Sequence, residues 1–503
     1  MKTMRFITVL TGLVIAAANS SIAAEKVLRL GFTALPTSKG NPFRSTATTS
    51  YTFFTALFDP LTQIDDQGKV HPWLAIEWAP ENETTWRFKL RPGVTFSNGE
   101  PFDASAVKTS LDFLLSDAAL AQTVARDIEF IAGARVIDAL TIEIVTKSPN
   151  ILLPRYLAGI NIVAPKHFTA VGLDAFAQTP VGTGPFKLEE WSPEKVTMSA
   201  FKGSWRAPKV DQLVILALPD STSRLQALET GRVDVATNIS TDDKGRLEAA
   251  GNRFHRRNPT RVMVVSFETI RAGSPFRDVR VRQAMNYAVN RQSIVDNLLG
   301  GLTVLASQPA APAVVGYAPD LKPYPYDPQK ARALLKDAGY ANGFSFVMEV
   351  PNGQLANDGA VAQQIAADLA AIGVKVDIRE IDFAQVVRNM SLGNWKGLAM
   401  YTDFATAPSL DLMRAFIRHS CGWASPWFCD PTIEPVIAEA ERTFDLDRRI
   451  QLTQKASQHY RDVAASLFLY PGISLDGIAA RVTVWQPWND NFMYHLADVK
   501  QGP

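Results

Sequence analysis

Residues 344–381, FSFVMEVPNGQLANDGAVAQQIAADLAAIGVKVDIREI, contain a strand pattern, a helix pattern and a second strand pattern. We predict a strand over 344–350, a helix over 358–372 and a returning strand over Val374–Ile381. The apolar face of this helix carries Val361, Ile365, Leu369 and Ile372. Asn357 is placed to cap the helix at its N-terminus, and Gly373 is placed to end it. This order of elements predicts two parallel strands in an α/β sheet.

A second unit of the same order lies earlier in the chain. We predict a strand over 212–218, a helix over 221–230 that Gly231 ends, and a short strand over 233–235. The pattern after the first unit predicts a helix over 383–392 and a strand over 397–401. Two separate units predict two α/β lobes, and clefts between such lobes are places where ligands bind.

Length and charge limit the possible functions. The chain has 503 residues, which is more than one hydrophobic core usually organises, so we expect two or three domains. Its 51 basic and 50 acidic residues leave a formal charge of +1. This balance provides neither a basic stripe for nucleic acid nor a polybasic patch for a membrane surface, so we expect no nucleic-acid partner.

The first 24 residues have the features of an export signal. Two basic residues precede an apolar run over 6–18, and the sequence SIA at 21–23 resembles a small-residue cleavage site. We therefore expect the mature chain to begin near Ala24 or Glu25. Because no cysteine follows the signal, we expect no lipid attachment there and place the mature protein in the periplasm of a Gram-negative cell.

The chain has two cysteines, Cys421 and Cys429, which are close together in the sequence. In an oxidising compartment such a pair is expected to form a short-loop disulfide. A metal site or a thiol nucleophile is the alternative. The stretch CGWASPWFC lacks CxxC spacing and neighbouring paired histidines, so the disulfide is favoured.

Catalytic motifs are missing from the sequence. GxSxG, HExxH, a Walker A loop and GxGxxG do not occur. Residues 192–195 match SxxK, but they run into a predicted strand and have neither an SDN nor a KTG partner. The dispersed histidines are His71, His167, His255, His419, His459 and His495. We predict no catalytic residue, no metal site and no cofactor.

Aromatic residues indicate where the walls of a ligand site would form. Each of them alone is more typical of a core, but together they are consistent with a loop-rich site that has flat apolar walls. The residues are Trp395, Tyr401, Phe404, Trp423, Trp427, Trp485 and Trp488.

A set of longer motifs runs through most of the chain. They are FDPL at 58–61, PWLA at 72–75, WRFKLR at 86–91, FSNGEPF at 96–102, GTGPF at 182–186, SPFRDVRVRQA at 274–284, YAVNR at 287–291, YDP at 326–328 and AGY at 338–340. The set resembles bacterial extracellular solute-binding proteins of family 5, the peptide-, oligopeptide- and nickel-type binding proteins of ABC importers. The motifs mark turns, helix caps and packing, so they identify the fold better than the ligand.

The resemblance implies a two-lobe, three-domain periplasmic-binding-protein fold of class II type, α/β with mixed sheets and with the ligand enclosed in the interlobe cleft. The core domain of the first lobe is expected at 25–60, 180–261 and 476–503. A second domain, packed on that lobe, is expected at 61–179, and the other lobe at 262–475.

The resemblance also implies a set of ligand contacts. In peptide-binding members a strand and the segment after it, here 401–408, pair with an extended peptide, and an aspartate just before the proline holds the ligand's ammonium. Ala407 occupies that position here, and Asp403 is the candidate substitute. The expected ligand contacts are Thr33, Ala34, Tyr401, Thr402, Asp403, Phe404, Ala407, Trp423 and Trp488.

The function implied by the resemblance is capture of a peptide or peptide-like compound and its delivery to an inner-membrane ABC permease with ATPase subunits. We expect a monomer. Within the same fold, an opine, a glycoside or a nickel complex is the alternative ligand. An exported hydrolase and a metal-binding or chaperone-like module are the alternatives from other classes.

Overall fold

A computed structural model describes residues 25–44, 48–351, 357–489 and 491–500. The expected signal segment, 1–24, lies outside the described residues. None of the helices in the described ranges is both long enough and apolar enough to cross a membrane.

The strands are, in chain order, β1 (Val27–Phe32), β2 (Thr62–Ile64), β3 (Val70–Pro72), β4 (Ala75–Asn82), β5 (Thr85–Leu90), β6 (Ile131–Asp138), β7 (Thr141–Thr146), β8 (Phe186–Trp191), β9 (Lys195–Ala200), β10 (Gln212–Ala217), β11 (Val235–Ala236), β12 (Arg253–Arg257), β13 (Arg261–Phe267), β14 (Phe344–Pro351), β15 (Val374–Ile381), β16 (Ala399–Ala405), β17 (Ser466–Pro471), β18 (Ser474–Ile478), β19 (Val482–Val484), β20 (Pro487–Trp488), β21 (Asn491–Phe492) and β22 (Asp498–Val499). The α-helices are α1 (Thr48–Phe54), α2 (Ala104–Leu114), α3 (Thr123–Asp127), α4 (Leu153–Tyr156), α5 (Pro165–Phe176), α6 (Ser221–Glu229), α7 (Lys244–Ala249), α8 (Val279–Ala288), α9 (Arg291–Ser293), α10 (Pro328–Asp337), α11 (Asp358–Ala370), α12 (Phe383–Leu392), α13 (Leu412–Phe416), α14 (Glu434–Arg442) and α15 (Leu446–Asp462).

The largest sheet in the described part of the chain has the order β12-β18-β11-β1-β10-β9-β8. Strand β1 runs parallel to both β10 and β11, whereas β9 and β18 pair antiparallel with their neighbours. The predicted unit of β10, α6 and β11 is therefore confirmed, and β1 lies between its two strands. The sheet is mixed, as expected.

A five-stranded sheet has the order β15-β14-β16-β13-β17 among the described residues. Strands β14 and β15 are parallel and in register from Phe344 opposite Val374 to Pro351 opposite Ile381, which confirms the unit predicted over 344–381. The strand predicted at 397–401 is longer than expected, because β16 continues to Ala405 and pairs along the whole of β13.

Buried side chains divide the molecule into two bodies. One continuous core joins the seven-stranded sheet to an antiparallel sheet of order β4-β5-β7-β6, and we call this body the first lobe. The five-stranded sheet has a separate core on each face and forms the second lobe. The chain passes between the lobes after β12 and after β17. The structure thus has the predicted two-lobe α/β architecture.

Asn357 is the N-cap residue of α11, as predicted, but its side chain does not cap the helix. Its backbone is left-handed, with φ 65°, and its side chain accepts no capping hydrogen bond from α11. Instead, its Nδ2 donates to Thr241 Oγ1 at 2.9 Å and to the Leu298 carbonyl at 2.6 Å. The side chain bridges the two lobes, which is a tertiary contact that a local capping rule does not include.

Candidate functional site

A narrow cleft lies between the first lobe and the second lobe, and its volume of about 10 Å³ is room for about one water molecule. We call it the interlobe cleft. Its first-lobe wall consists of Val124, Asp127, Ile128, Tyr156, Gly159 and Ile160. Its second-lobe wall consists of Pro408, Ser409 and Arg414.

The segment after β16 builds the second-lobe wall. Thr406 donates from its backbone nitrogen and its hydroxyl to the Thr260 carbonyl, at 3.0 and 2.7 Å, and this fixes the segment beside the start of β13. Asp411 then caps α13 by accepting from the Met413 backbone nitrogen. Helix α13 and the 3₁₀ turn Ile417–His419 place Arg414 and Arg418 four residues apart, which is the spacing of neighbours on a helix surface.

Charged side chains concentrate where this segment faces the first lobe. Arg414 forms an ion pair with Asp127 of the opposite lobe, Nη2 to Oδ2 at 2.9 Å. Arg261 pairs with Asp403, Nη1 to Oδ2 at 3.1 Å. Arg418 lies within electrostatic range of all four of these residues. We call these five residues the arginine cluster.

Burial and the four neighbouring charges all shift the pKa of Arg418, some downward and some upward. Burial lowers the pKa of the Arg418 guanidinium, and the nearby Arg414 and Arg261 lower it further, while Asp403 and Asp127 act to raise it. The guanidinium remains charged at neutral pH because its ordinary pKa is far above 7. Arg418 is therefore a cation in a partly desolvated position within the cluster.

A second group of contacts ties the lobes together beside the cleft. Tyr156 of the first lobe donates its hydroxyl to Asp411 Oδ2 at 2.7 Å, and Arg449 pairs with the same oxygen at 2.8 Å. Burial raises the pKa of Tyr156 well above its ordinary value, so the hydroxyl keeps its proton. Arg155 donates from Nε to the Ser409 carbonyl at 2.9 Å. These bonds form only when the two walls are in contact.

A second recess, of about 10 Å³, lies at the carboxyl end of β1. It is lined by Phe32, Thr33, Thr52, Thr237, Asn238, Arg257 and Phe492. The expected contact Thr33 is thus at a recess, and Ala34, the next residue, is exposed beside it.

The strand residues expected at the site divide between the cores and the cleft. Tyr401 is 1% exposed, and its hydroxyl bonds to Tyr470 at 2.7 Å. Phe404 is fully buried and stacks on His419 with ring centroids 3.9 Å apart. These two side chains pack into opposite faces of the five-stranded sheet, because residues three apart on a strand point to opposite faces. Thr402 is also buried, whereas Asp403 reaches the arginine cluster.

The other expected contacts lie in separate places. Ala407 is half-buried next to Pro408 of the interlobe cleft. Trp423 is half-buried inside the loop closed by the disulfide of Cys421 and Cys429, a disulfide that the structure confirms. Trp488 lies against His71 at 5.1 Å between ring centroids. The structure therefore does not bring the aromatic residues together into one site, and their contact with a ligand stays a prediction.

Sequence reasoning missed the polar residues in and beside the cleft. Asp127, Tyr156, Arg414 and Arg418 belong to none of the sequence motifs. The available signal was the pair of arginines in LMRAFIRHS, where two cations four residues apart interrupt an otherwise apolar helix. Among the described residues, no group of three or more His, Cys, Asp or Glu side chains is arranged to hold a metal ion.

Comparisons with known proteins agree with this architecture. The family model for bacterial extracellular solute-binding proteins, family 5 Middle, matches residues 69–416. The glutathione-binding protein GsiB of Escherichia coli strain K12 is 30% identical over 436 residues, which are 83% of each chain.

Solved structures share the fold at lower sequence identity. The dipeptide-binding protein of Pseudoalteromonas sp. SM9913, in complex with Met-Leu, has a TM-score of 0.82 at 20% identity and covers 94% of this chain and 100% of its own. The PBP AgaA from A. tumefacien R10, in complex with agropinic acid, has a TM-score of 0.80 at 22% identity over 95% and 99%. Because the family model and a relative at 30% identity each span most of the sequence, the chain belongs to the family 5 bacterial extracellular solute-binding proteins.

Proposed function

We propose that this protein is the periplasmic substrate-binding component of an ABC importer and that it captures a peptide or a peptide-like compound in the interlobe cleft. The observation that carries the proposal is the set of bonds across the cleft, in which Tyr156 and Asp127 of one lobe meet Asp411 and Arg414 of the other. A ligand that contacts both walls would favour this closed arrangement through its differential affinity for it.

The relatives support a peptide-like ligand. One is named for glutathione, and solved structures of the same fold hold the dipeptide Met-Leu or agropinic acid. An opine of the agropinic acid kind is therefore the second candidate within the same function. Capture and release require no covalent chemistry, so we propose a carrier and not an enzyme.

The remaining parts of the proposal follow from this role. Residues 1–24 would direct export and be removed, and the mature chain would act in the periplasm as a monomer that docks on a permease with its ATPase subunits. Three domains are proposed. The first consists of 25–60, 180–261 and 476–503, the second of 61–179 and the third of 262–475. The proposed ligand contacts are Thr33, Ala34, Asp403 and Ala407. The backbone of 401–404 and the side chains of Trp423 and Trp488 complete the set.

A thermal-shift screen of the purified mature protein tests the proposal. The panel is glutathione, di- to hexapeptides, agropinic acid, cellobiose and a nickel–histidine complex. A ligand at 100 times its dissociation constant should stabilise the protein by about 2.7 kcal/mol, which is a shift of several degrees. A shift with peptides, glutathione or agropinic acid supports the proposal, and a shift with none of the panel contradicts it. Hydrolysis of a bound peptide, followed by mass spectrometry, would favour the hydrolase instead.

A further inference from the structure

A second set of contacts between the lobes lies away from the interlobe cleft. Asn357 of the second lobe donates from Nδ2 to Thr241 Oγ1 at 2.9 Å, and its Oδ1 accepts from Ser240 Oγ at 3.3 Å. Arg256 of the first lobe donates from Nη1 to the Leu302 carbonyl at 2.8 Å. We call these five residues the back contact.

The two lobes touch directly at the back contact. Nδ2 of Asn357 uses its second proton as well, because it also donates to the Leu298 carbonyl at 2.6 Å. Thr241 Oγ1 donates to the same carbonyl at 3.2 Å. Leu302 is half-buried and packs against the cores of both lobes. The lobes therefore cannot approach each other further on this side without a steric overlap.

The back contact and the interlobe cleft lie on opposite sides of the two crossovers between the lobes. Both crossovers leave the five-stranded sheet, one from the start of β13 and the other from the end of its paired neighbour β17. Leu298 and Leu302 pack on the core of one face of this sheet. Leu412 and Met413, which follow the second-lobe wall of the cleft, belong to the core of the other face.

This arrangement limits where the lobes can pivot. A rotation of two rigid bodies that widens one side of the axis narrows the other side. If the axis ran through the crossovers, opening of the cleft would press Thr241 onto Leu298 and Asn357, which are already within hydrogen-bonding distance. Protein interiors resist such compression because they are packed as densely as organic crystals. An axis at the back contact avoids the overlap.

We propose that the back contact is the pivot of lobe closure, so that it persists while the cleft side opens and closes and the crossovers act as flexible connections. This inference rests on the proposed function, because ligand capture requires the cleft to open and close. On opening, the bonds of Tyr156 to Asp411 and of Arg414 to Asp127 break, whereas those of Asn357 are kept. Asn357 is thus a positioning residue, which acts on a ligand through the relative position of the lobes.

Two cross-links, one on each side of the crossovers, test the pivot. The back link joins Thr241→Cys to Asn357→Cys, and the cleft link joins Asp127→Cys to Arg414→Cys, each through a short bis-maleimide. Each variant is compared before and after linking, so the loss of the native side chains does not enter the comparison.

Small-angle scattering of the ligand-free protein gives the first readout, and the association rate of a ligand found in the screen gives the second. The cleft link should lower the radius of gyration and slow association about 100-fold or more, because the ligand can no longer enter the cleft. The back link should leave the radius of gyration unchanged and the association rate within about twofold of its value before linking.

A link of Lys108→Cys to Asp112→Cys, on an exposed face of α2, is the control for the reagent and should change neither readout. The native Cys421 and Cys429 form a disulfide and offer no thiol to the reagent.

Compaction or slowed association in the back-linked protein would overturn the pivot, because the back contact would then form only in the closed arrangement. A cleft link that changes neither readout would overturn it too, since the lobes would then not separate on that side. The scattering needs no ligand. If no compound of the screen binds, the proposed function is contradicted, and the scattering still decides the pivot.

Discussion

At the residue scale, Asp59 joins three separate stretches of the first lobe. Its carboxylate accepts from Trp73 Nε1 at 2.6 Å, Trp205 Nε1 at 3.0 Å, Thr183 Oγ1 at 2.7 Å and Arg206 Nε at 2.6 Å. The side chains of Asp59 and Arg206 are almost completely buried. The FDPL and GTGPF motifs are therefore two parts of one buried polar network.

Asp59→Asn should lower the free energy of unfolding by about 3 to 5 kcal/mol, because it leaves the buried Arg206 guanidinium without its counter-charge. Urea unfolding followed by tryptophan fluorescence measures the change. Asp112→Asn is the control, since Asp112 pairs with Lys108 on an exposed helix face and should cost less than about 1 kcal/mol. Equal effects of the two variants would contradict this account of Asp59.

His419 is a buried histidine that should stay neutral. It stacks on Phe404, and its Nε2 lies 2.8 Å from Ser266 Oγ. Burial, with a further contribution from Arg418, lowers its pKa to about 3. In the unfolded chain the pKa returns to about 6.5, so below that pH the unfolded state binds a proton that the folded state does not.

The stability contributed by neutral His419 is therefore complete above pH 6.5 and is lost as the pH falls towards 3, at about 1.4 kcal/mol per pH unit. Between pH 6.5 and 5 the unfolding free energy of His419→Gln should fall less steeply than that of the unchanged protein. Urea unfolding at several pH values measures both slopes. A titration of the His419 imidazole itself near pH 6.5, seen by NMR of the folded protein, would contradict the prediction.

At the element scale, the hairpin of β2 and β3 reaches across to the second lobe. Gly68 at its tip has φ +79°, and a Cβ there would overlap the Ala313 carbonyl oxygen of the second lobe. The Gly68 carbonyl accepts from Arg155 Nη1 at 2.6 Å. The tip therefore fits against the other lobe only as a glycine.

Gly68→Ala should hinder closure of the lobes, so the affinity for a ligand found in the screen should fall about tenfold or more. Gly93→Ala is the matched control, because Gly93 has φ +73° but no neighbour within 4 Å of the place that a Cβ would occupy. Both variants bear the same backbone cost of about 1 to 2 kcal/mol, and only Gly68→Ala adds the clash between lobes. Small-angle scattering with ligand should show a larger radius of gyration for Gly68→Ala alone.

At the scale of the whole molecule, closure depends on bonds between residues of different lobes. Tyr156→Phe removes the hydroxyl that Asp411 accepts but leaves Arg449 in place. A hydrogen bond to a charged group contributes about 1.5 to 3 kcal/mol, so ligand affinity should fall at least about tenfold. Tyr326→Phe is the control on an exposed tyrosine of the second lobe and should have no effect. Unchanged affinity in Tyr156→Phe would show that this bond does not contribute to closure.

The sequence alone sufficed for features that depend on neighbouring residues. The two parallel units, the helix over 383–392 and the pairing of Cys421 with Cys429 follow from periodicity, helix-ending glycines and short spacing, and each is present in the structure. These signals work because the residues that decide a helix, a turn or a short loop lie within about ten positions of one another.

The ligand cleft required the tertiary structure. Asp127 and Arg414 are 287 positions apart, and Tyr156 and Asp411 are 255 apart, so no local pattern connects them. The sequence shows that Tyr401 and Phe404 are aromatic, but it does not show that both are buried. Their burial depends on the segments that pack against the two faces of the five-stranded sheet. Periodicity identifies strands and helices. The contacts between lobes, such as the ion pair of Arg414 with Asp127 at the cleft, arise only when distant segments pack together.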